Sequence, residues 1–268
     1  MNEIERLLQV MDRLRDSESG CPWDRAQTYA SIVPHTIEEA YEVADAIARG
    51  DRAELKDELG DLLFQVVFYA QLAKEEGAFT FADVATAITE KMIYRHPHVF
   101  GDAEYASIAE QSAAWERLKA AERRTVAQGV LDGVPLALPA LTRAVKLQRK
   151  AARVGFDWSE LAPVIAKIEE ELEEIRRELK AKTRSERVAE EIGDLLFACV
   201  NLARHVNVDP ETALRAANAK FEGRFQRIEA WLAETGRTPE QSTLEEMDAL
   251  WERAKAAEEQ AKEPGQNP

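Results

Sequence analysis

The sequence predicts an all-α protein built from two tandem helical-bundle repeats, and three observations predict it. Apolar residues recur at spacings of three and four, the period of a helix with one buried face, while the strict alternation of a half-buried strand is scarce. Helix-start residues recur along the chain, with glycine or proline where helices should stop. Four landmarks of the first half also return in the second half in the same order, which is the mark of a duplicated unit.

In chain order, Thr36 with Glu39 reads as a capping box opening one helix, and Asp51 with Glu54 as the box opening the next. Gly50 lies between them, where a left-handed residue would end the first helix. Thr80 precedes a further helix that ends near Tyr94. Glycine and proline then concentrate in Gln128-Gly129-Val130-Leu131-Asp132-Gly133-Val134-Pro135, which reads as a linker. Residues 1–125 form the first repeat on this reading, 126–136 the linker and 137–258 the second repeat. Residues 259–268, ending Pro264-Gly265-Gln266-Asn267-Pro268, form a tail expected to be disordered. In the second repeat Asp209-Pro210 reads as an N-cap followed by proline at the first helical position.

The duplication is specific in its residues. Glu38-Glu39-Ala40-Tyr41-Glu42 is answered by Glu170-Glu171-Leu172-Glu173-Glu174, and Glu58-Leu59-Gly60-Asp61-Leu62-Leu63-Phe64 by Glu191-Ile192-Gly193-Asp194-Leu195-Leu196-Phe197. Lys91 and Arg95 are answered by Lys220 and Arg224. Trp115-Glu116-Arg117 with Lys119 is answered by Trp251-Glu252-Arg253 with Lys255. The offsets are 132, 133, 129 and 136 residues.

Composition excludes several classes. With 268 residues, 45% hydrophobic and 32% charged, the chain can build a core in each half. Its net charge of -15 argues against a sequence-blind nucleic-acid binder, which works by neutralising phosphates with Lys and Arg. No apolar run reaches membrane-spanning length, and Met1-Asn2-Glu3-Ile4-Glu5 does not read as a signal peptide, so the expectation is a cytoplasmic protein without a membrane partner. Cys21 and Cys199 belong to no paired metal motif, and Cys199, inside an apolar run, is expected to be buried and inert.

Residues three apart on a helix share a face. Glu39 with Glu42, and Glu58 with Asp61, therefore converge if their helices pack antiparallel. Glu171, Glu174, Glu191 and Asp194 do the same in the second half. Four ionised carboxylates held together repel, so such a cluster calls for protons or cations. Oxygen-only ligands suit magnesium, manganese or calcium rather than zinc. A single Glu-x-x-Glu is ordinarily a solvated face. What lifts these is their recurrence and the glycine before, and Leu-Leu-Phe after, each Asp.

The competing chemistries fail on spacing. A di-iron bundle needs Glu-x-x-His, and none of His35, His96, His98 and His205 follows a Glu by three. His96-Pro97-His98 has no partners spaced to complete a zinc site, and His205 reads as a surface or interface residue. No Gly-x-x-x-x-Gly-Lys-Ser/Thr loop and no Gly-x-Ser-x-Gly elbow occurs. Lys220 and Arg224, four apart, share a face suited to phosphate oxygens, as do Lys91 and Arg95. Trp115 and Trp251 are read as opening charged helices, as packing anchors or as platforms for a base or sugar.

With Gly20-Cys21-Pro22-Trp23-Asp24, Arg95-His96-Pro97-His98-Val99-Phe100 and Val154-Gly155-Phe156-Asp157-Trp158, these motifs resemble the two-repeat members of the MazG family of nucleoside triphosphate pyrophosphohydrolases. The resemblance implies a helical bundle in each repeat, a homodimer, and conversion of a nucleoside triphosphate and water to monophosphate and pyrophosphate with Mg2+, or Mn2+, and broad base tolerance. It implies the second repeat as the catalytic one, with Glu171, Glu174, Glu191 and Asp194 as catalytic metal ligands. Lys220, Arg224 and Trp251 would be nucleotide contacts, and Lys167, Ile168, Glu169, Glu170 and Glu171 would lie beside the nucleotide with Asp194. Glu39, Glu42, Glu58, Asp61, Lys91, Arg95 and Trp115 form a second candidate site in the first repeat. A carboxylate not held by metal, whether Glu38, Glu170 or one of the four, would take a proton from the attacking water. The rival reading is a non-catalytic helical dimer that binds nucleotides for regulation.

Overall fold

The computed structural model describes residues 2–123, 129–181 and 185–262, and every regular element among them is helical. The chain divides into two compact units, Met1–Arg124 and Thr125–Pro268.

The first unit holds α1 (Glu3–Leu14), α2 (Pro22–Ala26), α3 (Tyr29–Arg49), α4 (Arg52–Glu75), α5 (Phe81–Arg95), α6 (Pro97–Phe100) and α7 (Ile108–Arg123). Its caps follow local chemistry. Asn2 and Glu5 close a capping box on α1, and Thr80 and Asp83 close one on α5. Asp51 accepts from the backbone N–H groups of Ala53 and Glu54 to start α4. Gly50 ends α3 at φ +71°, a left-handed cap that a Cβ would strain. Because only Gly50 and Asp51 join them, α3 and α4 are antiparallel neighbours.

One helix start differs from the sequence reading. α3 begins at Thr28, whose side chain caps Ser31 N–H, and not at Thr36. Pro34 lies inside the helix. Proline there removes one backbone bond and usually signals an ending, but a 21-residue helix packed along α4 absorbs it. Thr36 instead bonds the Ile32 carbonyl at 3.2 Å and the Tyr69 hydroxyl at 2.9 Å. The core of this unit is Met11, Ile32, Val67, Phe68 and Leu72, with Phe64 and Phe81 packed against it.

The second unit holds α8 (Ala140–Ala152), α9 (Leu161–Lys180), α10 (Ser185–His205), α11 (Pro210–Glu234) and α12 (Leu244–Lys262). Asp209 caps α11 through Thr212 N–H, with Pro210 in the first turn, as its dipeptide signals. α9 and α10 pack along each other, α8 lies against α10, and α12 against α11. Val164, Val200, Ile228, Leu232 and Ala254 are buried between them. α12 runs to Lys262, while residues 126–128 of the expected linker and 263–268 of the expected tail lie outside the described residues. Trp115 and Trp251 sit within α7 and α12 rather than opening them. Cys199 is exposed, not buried, because no helix among the described residues covers the Leu196–Cys199 side of α10. No described helix is long and apolar enough to cross a membrane.

Candidate functional site

In each unit the central antiparallel pair brings carboxylates together. One oxygen each of Glu171, Glu191 and Asp194 lies within 4.8 Å of the others, and Glu39, Glu58 and Asp61 form the equivalent set. The fourth acidic residue of each group stands at the margin. Glu174 pairs with Arg177 at 2.7 Å, and Glu42 hydrogen-bonds to Glu39.

Glu171 is the most enclosed of these groups. It is 4% exposed, although acidic residues are seldom buried without a partner. Lys167 Nζ lies 2.8 Å from its Oε1 and 2.9 Å from Glu170 Oε1. Both contacts raise the proton affinity of Lys167, that with Glu171 most. Glu171 Oε2 is buried and has no hydrogen-bond partner among the described residues. Such an oxygen is costly unless something fills its coordination. Burial first, and then the charges of Glu174, Asp194 and Glu171, push the Glu191 carboxyl above its ordinary range. Glu39 is pushed up likewise by burial, the bond to Glu42 and Asp61, and Glu58 by burial and Glu42. Cation-free, both clusters are electrostatically strained. An all-oxygen set with an orphaned buried lone pair fits a hard divalent cation.

Beside the second cluster lies a cavity of about 780 Å3, within the range of small-molecule sites. Lys167, Glu171 and Asp194 bound it on the acidic side, and Phe156, Trp158 and Phe197 supply aromatic surface. Its far wall is an ionic brace. Arg204 reaches Asp157 through Nη1 at 2.8 Å and Asn201 Oδ1 through Nε at 3.1 Å, and His205 Nε2 lies 3.1 Å from Asp157. The Arg204 guanidinium holds the Asp157 carboxyl below its ordinary range. His205, expected at a surface or interface, is a partly buried member of this brace. Gln148, Asn201 and Arg204 went unmarked in the sequence because their wall is assembled from residues far apart in the chain. The signals that existed were Arg204 three residues after Asn201 on one helix face, and the Val154–Trp158 segment.

Other expected residues fall elsewhere. Ile168 is half-buried, and Glu169 and Glu170 are exposed on α9. Lys220 is exposed on α11, one turn before Arg224. Arg224 is held by Glu258 at 2.8 Å and lies 5.2 Å above the Trp251 ring. The first unit repeats this motif, with Arg95 5.5 Å from Trp115 and Lys91 exposed on α5. Neither Lys220, Arg224 nor Trp251 lines the cavity within this chain.

Fold and site define a class: a two-repeat helical protein with a cluster of carboxylates able to hold a cation in each repeat, one of them beside a ligand-sized cavity. The MazG nucleotide pyrophosphohydrolase domain matches residues 27–100 and 160–228, more than half of the chain. The chain is 52% identical over 260 residues to the nucleoside triphosphate pyrophosphohydrolase of Escherichia coli (strain K12), covering 96% of this chain and 99% of that protein. It is 45% identical over 256 residues to the nucleoside triphosphate pyrophosphohydrolase/pyrophosphatase MazG of Thermotoga maritima, covering 96% and 97%. A crystal structure of a mazG-related protein from Thermotoga maritima matches with a TM-score of 0.38 and 27% identity, over 43% of this chain and 98% of that one. The chain belongs to the MazG family.

Proposed function

We propose that this chain is a nucleoside triphosphate pyrophosphohydrolase acting through its second repeat, with Mg2+ held by Glu171, Glu191 and Asp194, and Glu174 joining them once released from Arg177. The observation that carries this reading is the juxtaposition of three carboxylates within 4.8 Å and a cavity of about 780 Å3 with aromatic walls. A charged phosphate chain needs the first, and a base and sugar need the second.

A bound divalent cation would neutralise the phosphate charge, polarise the phosphoryl oxygen under attack and acidify water. The protein's own groups do the rest. Lys167 fixes the Glu171 carboxylate through Oε1, leaving Oε2 free to face a ligand. A carboxylate of the cluster not engaged by cation takes the proton of the attacking water. Phe156, Trp158 and Phe197 offer aromatic surface to a base, and the Asp157–Arg204–Asn201 brace keeps the wall fixed. Aromatic faces accept any base, which supports a broad base range.

We place Lys220, Arg224 and Trp251 at the nucleotide only in a homodimer. Leu196, Phe197, Leu214 and Phe221 are large apolar residues exposed on α10 and α11, a surface that a second copy would cover. Glu39, Glu58 and Asp61 would hold a second cation in the first repeat. The charge of -15 supports small phosphorylated ligands over nucleic acid, and that substrate class supports a cytoplasmic location. The linker at 126–136 is our division of the chain, and the tail boundary moves from 259 to beyond Lys262, where α12 ends.

The test is turnover of a nucleoside triphosphate panel with Mg2+ and with Mn2+, comparing the native chain with Glu171→Gln and Asp194→Asn. Loss of pyrophosphate release in both variants supports the reading. Undiminished release would move the chemistry elsewhere, and tight binding without turnover in the native chain would favour a regulatory module.

A further inference from the structure

Helices α4 and α10 carry the same Gly-Asp-Leu-Leu-Phe segment, at 60–64 and 193–197. Carried on in register, Gln65 falls on Ala198, Phe68 on Asn201 and Gln71 on Arg204. These positions, spaced three and three, form one face of the helix. In α10, Ala198, Asn201 and Arg204 all line the cavity. In α4 the first two of these positions carry larger, buried side chains.

Phe68 is 1% exposed and packs in the core with Met11, Ile32 and Leu72. The Arg15 guanidinium covers its ring at 5.3 Å. One turn closer to the carboxylates, Gln65 is 7% exposed and donates to Glu39 Oε1 at 3.3 Å. Glu39 is the counterpart of Glu171, whose Oε1 is held by Lys167 from its own helix and not from across the pair. Gln65 therefore stands against the first-repeat carboxylates on the side where the second repeat opens, and Phe68 fills the space behind it. The second repeat has a methyl group and a small amide at these two positions. The Asn201 amide is drawn back by Arg204, which takes its Oδ1 at 2.6 Å through Nη2.

We infer that these two positions decide which repeat admits a nucleoside. Ala198 and Asn201 keep the second repeat open beneath its carboxylates, whereas Gln65 and Phe68 close the first repeat although its carboxylates are intact. This inference rests on the proposed reading of the second repeat as the nucleotide site. It makes the two clusters unequal for a steric reason, and it fixes the stoichiometry at one nucleotide per chain.

The experiment is equilibrium dialysis of the full chain against an ATP analogue with a methylene group between the α and β phosphorus atoms, with Mg2+ present. The native chain is expected to bind one analogue per chain. Ala198→Gln with Asn201→Phe, which rebuilds the first-repeat face in the second, is expected to bind none while keeping its helical circular dichroism, with a lower melting temperature where Asn201 leaves the brace to Arg204. The single variant Ala198→Gln is the check should the double variant melt early, and is expected to bind at least ~10-fold more weakly. Two analogues per chain in the native protein would overturn the inference. So would one per chain retained at native affinity in a folded Ala198→Gln/Asn201→Phe variant. Absence of any binding to the native chain would sink the underlying reading and this inference with it.

Discussion

Lys167 and Glu171 meet one helical turn apart, Nζ to Oε1 at 2.8 Å, while Glu171 Oε2 stays buried without a hydrogen-bond partner among the described residues. The lysine thus satisfies half of a carboxylate and leaves the other half buried and unmatched at the edge of the cavity. Glu171→Gln keeps the shape but removes the charge. Loss of one anionic ligand is worth several kcal/mol in such a site, and turnover is expected to fall ~100-fold or more. Steady-state assays with circular dichroism on the same sample check this. An unchanged kcat/KM would remove Glu171 from the site.

Lys167→Met tests the positioning role separately. Glu171 would lose its fixed orientation but keep its charge. Divalent-cation affinity, read by titration with Mn2+, is expected to weaken by ~10–100-fold, the range for partners that orient a metal ligand. A purely structural lysine would lower the melting temperature and leave Mn2+ affinity unmoved.

A pH dependence follows from Glu39, Glu58 and Glu191, all raised above their ordinary value of 4.5 chiefly by burial and neighbouring carboxylates. A raised carboxyl stabilises the fold below its unfolded pKa and loses that contribution as pH rises through the folded value. The cation-free chain is therefore strained at neutral pH by these groups, and a cation relieves the strain. The rise in melting temperature on adding Mg2+ is expected to be larger at about pH 7.5 than at about pH 5, where protons compete. A shift independent of pH would contradict the cluster as the binding site.

Asp157 behaves in the opposite sense. Arg204 depresses its pKa, so its contribution is present above the ordinary carboxylate range and disappears as pH falls through the folded value. Removing one partner of a largely enclosed ion pair leaves the other charge exposed to a poor environment. Asp157→Ala is expected to destabilise the second repeat by about 1–3 kcal/mol, read by urea unfolding, and to raise KM for triphosphates more than it lowers kcat. Native stability and kinetics would reduce the brace to a surface contact.

Much of the fold is legible in the sequence because local chemistry dictates it. Asp51, Thr80 and Asp209 cap helices where their side chains can reach backbone N–H groups, and Gly50 ends α3 because only glycine takes φ +71° without strain. The duplicated carboxylates are legible because helical spacing alone places them on one face. Thr36 misleads because a threonine with a glutamate three residues on matches the capping-box pattern even inside a helix, and packing of α3 on α4 carries the helix back through Pro34 to Thr28. Cys199 misleads because an apolar run says nothing about whether a neighbour exists to cover it. The cavity is legible only in part, through the Val154–Trp158 segment, Lys167, Glu171 and Asp194. The rest of its wall combines Gln148, Asn201 and Arg204, which only the packing of α8 and α10 brings together, and the exclusion by Phe68 needs the two repeats compared in space.

The bond at which the triphosphate is cut decides the central claim. Incubation of the native chain with ATP, Mg2+ and 18O-labelled water, followed by separation of products, is the direct measurement. The expected result is AMP and pyrophosphate in equal amounts, abolished in Asp194→Asn. ADP with inorganic phosphate, or turnover undiminished in Asp194→Asn, would contradict it.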